Sequence, residues 1–144
     1  YTQASGTRPL HTIAGFGYAL DWFAAVGGLT AAETYNSELY AASYALMQPM
    51  EDEFQGFKIL SATPESDFSG ALLAMQMPDN MVNSDVQSTL RSEYGIVVKL
   101  LPDGEGGTEL VHNAIRVSHH IFNTAADYEA LASSLRALFQ LVNA

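Results

Sequence analysis

The chain has 144 residues, nearly half of them apolar, which suits one domain with a real core and excludes a disordered segment. Sixteen acidic residues against six basic ones give a net charge of −10, which argues against nucleic acid and anionic membrane surfaces as partners. There is no cysteine, so disulfides, thiol nucleophiles and cysteine-ligated zinc are excluded; the composition fits a reducing, cytoplasmic compartment.

Residues 1–10 carry no helix or strand signal and read as a connecting segment cut from a longer protein, with a single domain over 11–144. Ile13, Phe16, Leu20 and Phe23 follow helical spacing, and Gly27-Gly28 stops the run. Its apolar and aromatic content predicts a helix covered on most sides. Thr30-Ala31-Ala32-Glu33 reads as a capping box, and Tyr35, Leu39, Ala42 and Leu46 form the stripe of a second helix, with Pro49 just past its end. Phe57 to Leu60 reads as a short strand, Thr63 to Asp67 as a loop, and Ser69 to Met77 as a buried strand ended by Pro78. A short helix is predicted from Ser84 to about Arg91. Tyr94 to Leu101, rich in β-branched residues, is the clearest strand in the chain. Pro102 to Gly107 reads as an exposed turn.

The next strand carries the most informative residue. Ile115 and Val117 read as its buried face, and Arg116 and Ser118 alternate onto the other. A guanidinium held on a strand is a planar fork suited to a carboxylate. It is either paired within the fold or aimed at an anionic ligand. Thr124 to Asp127 opens a last helix, with Tyr128, Leu131, Leu135, Leu138 and Val142 on its apolar face. The order ααββαββα predicts an α+β fold: a small, mostly antiparallel sheet covered by helices.

Other chemistry is sparse. Lys58 and Lys99 lie on strands and read as solvated edge lysines. His112 and His120 share a strand face, but two ligands without a nearby carboxylate do not complete a metal shell. Ser118 lacks the surroundings of a nucleophile elbow. Gly6-Thr7-Arg8 is a weak phosphate-binding candidate. The glycines at 104, 106 and 107 precede a strand rather than a helix, so they make no nucleotide cradle.

Taken together, Ile115-Arg116-Val117-Ser118, then Phe122-Asn123-Thr124, then a terminal helix with Asp127 in its first turn resemble the C-terminal end of class V aminotransferase-like enzymes, which depend on pyridoxal phosphate. Gly6-Thr7-Arg8-Pro9, ahead of a long helix over Thr12 to Val26, is similar to the isopenicillin N epimerase-like branch. The resemblance covers essentially the whole chain. It implies the C-terminal small domain of a homodimeric enzyme acting on an amino acid. Arg116 would bind the substrate carboxylate, and Thr7 would contact the cofactor phosphate across a dimer interface. Asn123 would support the loop before the last helix, and His119 and His120 would be partly exposed structural residues near the site.

The resemblance also places the Schiff-base lysine and the aspartate at the pyridine nitrogen on a large N-terminal domain upstream of the Gly-Thr segment. Lys58 and Lys99 match neither position. These 144 residues alone are therefore expected to bind no cofactor and to be inactive. Desulfurases of this class take sulfur on a small-domain cysteine, which this chain lacks; epimerisation, carbon–sulfur lysis and aminotransfer stay open. The alternative is a non-catalytic α+β module that binds another protein.

Overall fold

The structure, a computed structural model, describes residues 9–101 and 112–142. The chain divides into two compact units, residues 1–34 and 35–144.

In the first unit, helix α1 (Leu10–Ala25) is followed by a turn, and helix α2 (Gly28–Met47) begins. Gly27 and Gly28 both adopt positive φ, 112° and 66°, which reverses the chain as the glycine pair predicts. A side chain at Gly27 would collide with Ala31, its Cβ falling 2.6 Å from that of the alanine. Two expectations are corrected. Thr30 is no N-cap: the left-handed Gly28 leads directly into the helix, so Thr30 and Glu33 lie inside it. And none of the α1 residues is buried, although Phe16, Leu20 and Trp22 are among them.

The second unit holds the core. Its elements are the rest of α2, a four-residue helix α3 (Met50–Glu53), strands β1 (Lys58–Ile59) and β2 (Leu72–Gln76), helix α4 (Asn83–Tyr94), strands β3 (Lys99–Leu100) and β4 (Ala114–Ser118), and helix α5 (Ala125–Val142). The predicted order holds, with α3 added. Pro49, read as the residue past a helix end, starts that extra turn, which suits its fixed φ and missing N–H.

The four strands form one sheet in the order β1-β2-β4-β3, antiparallel at every pairing. Strands β2 and β3 therefore run parallel, joined through α4, and β4 fills the gap between them as in a split βαβ unit. One sheet face carries Ile59, Leu73, Met75, Ile115 and Val117, all buried in a core with Met47, Met50, Leu90, Leu135 and Phe139. The edge strand β1 is closed from the helix side, where the Glu51 carboxylate accepts the Ile59 N–H at 2.7 Å.

The predicted strand over Tyr94–Leu101 is shortened to Lys99–Leu100. Tyr94 belongs to α4, and Gly95 caps it in the left-handed conformation, φ 68°. The Leu90 carbonyl accepts both the Gly95 and Ile96 N–H groups, which ties the first β-branched residue, Ile96, to the helix end. The turn predicted at Pro102 to Gly107 lies outside the described residues, as do Gly6, Thr7 and Arg8.

Candidate functional site

Strand β4 is the central element of the site because it is held at both ends. At its start, the Asn113 side chain accepts the Asn83 N–H at 2.7 Å and donates to the Met81 carbonyl at 2.5 Å. The Asn83 amide in turn donates to the Ala114 carbonyl at 2.9 Å. This network locks the entry of α4 to the first residue of the strand.

At the strand's end, the Tyr128 hydroxyl donates to the Ser118 carbonyl at 3.1 Å, and the His119 N–H donates to the Ala71 carbonyl at 2.8 Å. The His119 ring is buried, stacked on Tyr128 at 4.6 Å and edge-on to Tyr40 at 5.4 Å. Its Nε2 is 2.7 Å from Ser43 Oγ. The Ser43 hydroxyl is also 2.9 Å from the Tyr40 carbonyl, and the ring's Nδ1 is buried with no hydrogen-bond partner. Burial holds the His119 pKa below its usual value, with the Ala71 contact opposing it. Tyr128 is pushed up to about 12, chiefly by burial and then by Asp127 and Tyr35, so it stays a hydroxyl donor. The expectation of a partly exposed His119 is corrected: residues 115, 117 and 119 continue one alternation into the core. His120 is exposed and stacks on Phe122.

Between these anchors, Arg116 stands on the face opposite the core. Its cross-strand partners are Ala74 on β2 and Lys99 on β3. The side chain is half-buried, and its Nε is buried without a hydrogen-bond partner. Among the described residues the ion pair present is Arg136 with Glu53, 2.9 Å apart at the surface; it does not involve Arg116. Directly opposite Arg116 on β2, Ala74 supplies only a methyl group, with Leu72 and Gln76 flanking it on the same face. Lys58 and Lys99 are exposed on the two edge strands, as predicted, and the register puts both on the Arg116 face. The sequence reading did not bring Lys99 beside Arg116, because that depends on pairing register.

Asn123 supports the turn before α5 through its backbone, whose carbonyl accepts the Tyr35 hydroxyl at 2.8 Å. An open pocket of about 270 Å³ lies nearby, lined by Gly95, Val97, Ser118, Asn123, Asp127 and Tyr128 among others, and Arg116 is not part of its wall. Among the described residues no group of three or more His, Cys, Asp or Glu is placed to hold a metal ion. No described helix is long and apolar enough to cross a membrane.

Comparison with known proteins gives this arrangement a context. The chain is similar in fold to the cysteine desulfurase CsdA (S-sulfonic acid) from Escherichia coli, with 24% identity over 96% of this chain and 32% of that one, at a TM-score of 0.66. It is similar to a NifS-like protein, with 22% identity over 95% of this chain and 35% of that one, at a TM-score of 0.67. A decarboxylase from Sulfurospirillum multivorans matches at 15% identity over 71% of this chain and 24% of that one, with a TM-score of 0.53. The chain thus spans between a quarter and about a third of the solved chains it matches. No curated protein sequence matches it. The sequence profile of the class-V aminotransferases matches residues 2–131, and the chain belongs to that family.

Proposed function

We propose that these residues are the C-terminal small domain of a pyridoxal-phosphate enzyme that acts on an amino acid, and that Arg116 holds the substrate's α-carboxylate. The observation that carries this reading is the Arg116 guanidinium: half-buried, set on a strand pinned at both ends, with an unsatisfied Nε and no described carboxylate in ion-pair range. Leaving a buried donor unsatisfied costs free energy that an arriving carboxylate recovers. Two parallel hydrogen bonds from the fork fix the orientation of the substrate as well as its position.

When bound, the cofactor supplies an electron sink that makes the α-proton removable. The described residues fit a place beside it rather than around it: they offer an anion clamp but no phosphate cradle. Thr7 would reach the cofactor phosphate, in a homodimer across the subunit interface. The Schiff-base lysine and the partner of the pyridine nitrogen would come from a large domain preceding residue 10, with residues 1–10 as the connection. These 144 residues alone would then bind no cofactor and turn over no substrate. Cytoplasmic placement accords with the absence of cysteine.

The reaction is of the epimerase-like or carbon–sulfur lyase-like kind. The cysteine desulfurase and the NifS-like protein share the fold, but this chain contributes no thiol to accept sulfur. The Gly6-Thr7-Arg8 opening supports the epimerase-like branch.

The test is Arg116→Ala in the intact gene product. Loss of the fork is expected to lower kcat/KM on the amino-acid substrate by about a hundredfold, or ~3 kcal/mol, with the melting temperature retained. Unchanged turnover would remove Arg116 from the substrate clamp; absence of any amino-acid turnover by the unsubstituted protein would favour a protein-binding module instead.

A further inference from the structure

Lys99 pairs directly with Arg116 across the β3–β4 ladder. Directly opposed residues share a sheet face with their Cβ atoms about 5 Å apart, and like charges in that relation repel. The chain bears only six basic residues in 144, yet three of them, Lys58, Lys99 and Arg116, fall on this one face. Among the described strand residues, the same registers place Leu72, Ala74, Gln76, Ala114 and Ser118 there, and no acid. Among the described strand residues, an acidic chain has thus concentrated cations, and no carboxylate, on the face where the Arg116 Nε is unsatisfied.

From this juxtaposition we infer that Lys99 is a second anion-binding group, and that the substrate is an amino acid with a carboxylate on its side chain. Arg116 takes the α-carboxylate through its planar fork. Lys99, a point charge on a flexible four-carbon stem at the exposed edge, takes the distal one, whose position varies with side-chain length. The division follows from the two environments: the half-buried, preset group orients, and the exposed, mobile group selects. Lys58 is not part of the clamp, because β2 and β4 separate its strand from β3. This inference rests on the proposed function, since it deepens the role given to Arg116.

The competing account makes Lys99 a solvated lysine that guards a sheet edge. Two measurements on the intact gene product separate them. The first is binding of plain carboxylates, glutarate against butyrate at matched ionic strength, by thermal shift and calorimetry. Glutarate is expected to bind about tenfold more tightly. Lys99→Met should bring glutarate down to the butyrate level and leave butyrate unchanged, Lys58→Met should change neither, and Arg116→Met should weaken both. Equal binding of the two acids by the unsubstituted protein, or a glutarate preference that survives Lys99→Met, would overturn the inference.

The second is steady-state turnover of aspartate and glutamate against asparagine and glutamine. The acids are expected to be preferred, and Lys99→Met should erase the preference through KM with kcat little changed. Turnover of neutral amino acids that is indifferent to Lys99→Met would overturn the inference and leave the proposed function standing. A protein with no pyridoxal-phosphate-dependent turnover at all would instead refute the proposed function; the carboxylate titrations would still decide on Lys99.

Discussion

Arg116 and His119 are three residues apart and meet opposite fates, because a strand alternates its side chains between two faces. Arg116 lies on the open face and keeps an unsatisfied donor there. His119 extends the Ile115 and Val117 side and becomes a neutral core residue between Tyr128 and Tyr40. Its burial has a consequence for stability. The folded protein holds the His119 pKa below its ordinary value of 6.5, so as the pH falls past that value the unfolded chain gains a proton that the folded one does not. Stability contributed by neutral His119 is therefore full above about pH 6.5 and declines as acid is added. Urea midpoints measured from about pH 8 down to about pH 5 should fall, and His119→Gln should reduce the decline. A pH dependence identical in the two proteins would show that the ring does not govern it. At Arg116, the charge-conserving Arg116→Lys should restore part of the substrate affinity lost in Arg116→Ala but not the orientation, so KM should recover more than kcat.

At the scale of elements, glycine geometry and side-chain networks decide boundaries that propensity does not. Ile96, Val97 and Val98 have strand-forming side chains, yet they are not strand: Gly95 ends α4 in a left-handed cap, the Val98 carbonyl accepts the Gln87 side-chain amide at 2.8 Å, and pairing with β4 begins only at Lys99. Gly95→Ala should cost about 1–2 kcal/mol of stability from its φ of 68° alone, since an added methyl meets nothing within 4 Å. Gly56→Ala should cost more: its φ is 84°, and the new Cβ would lie 2.8 Å from the backbone nitrogen of Asp79. Chemical denaturation of the two variants gives the ranking, and the reverse order would contradict these geometries. The Asn83–Asn113 network makes a third case. Asn83→Ala removes the donor to the Ala114 carbonyl at a buried position and should cost roughly 1–3 kcal/mol. Nothing in the local pattern marks Asn83 and Asn113 as a pair, since they are 30 residues apart.

At the scale of the whole molecule, the second unit has a dense core and α1 has none. Phe139 is fully buried between Phe54 and Phe57, with ring centroids 5.2 and 5.5 Å away. Phe139→Ala should therefore destabilise the protein by about 3–5 kcal/mol, read from its urea midpoint. In α1, Phe16 and Trp22 are 67% and 60% exposed, which leaves aromatic surface in water at a level that drives association. A chain of these 144 residues should self-associate in sedimentation runs, and replacing both with Gln should return it to a monomer. A monomer at high concentration without those changes would count against this expectation.

The amino-acid sequence by itself determined the order of the helices and strands, the α+β class and the strand that bears Arg116, because apolar periodicity and turn residues act over a few neighbouring positions. It also marked the two faces of β4, and the same alternation assigns His119 to the core. Tertiary structure alone decided the rest: the partnership of Lys99 with Arg116, the Asn83–Asn113 lock and the shortened β3. Each of these depends on which distant backbone atoms come into register, and pairing across a sheet is set by packing of the whole core rather than by any local run of residues.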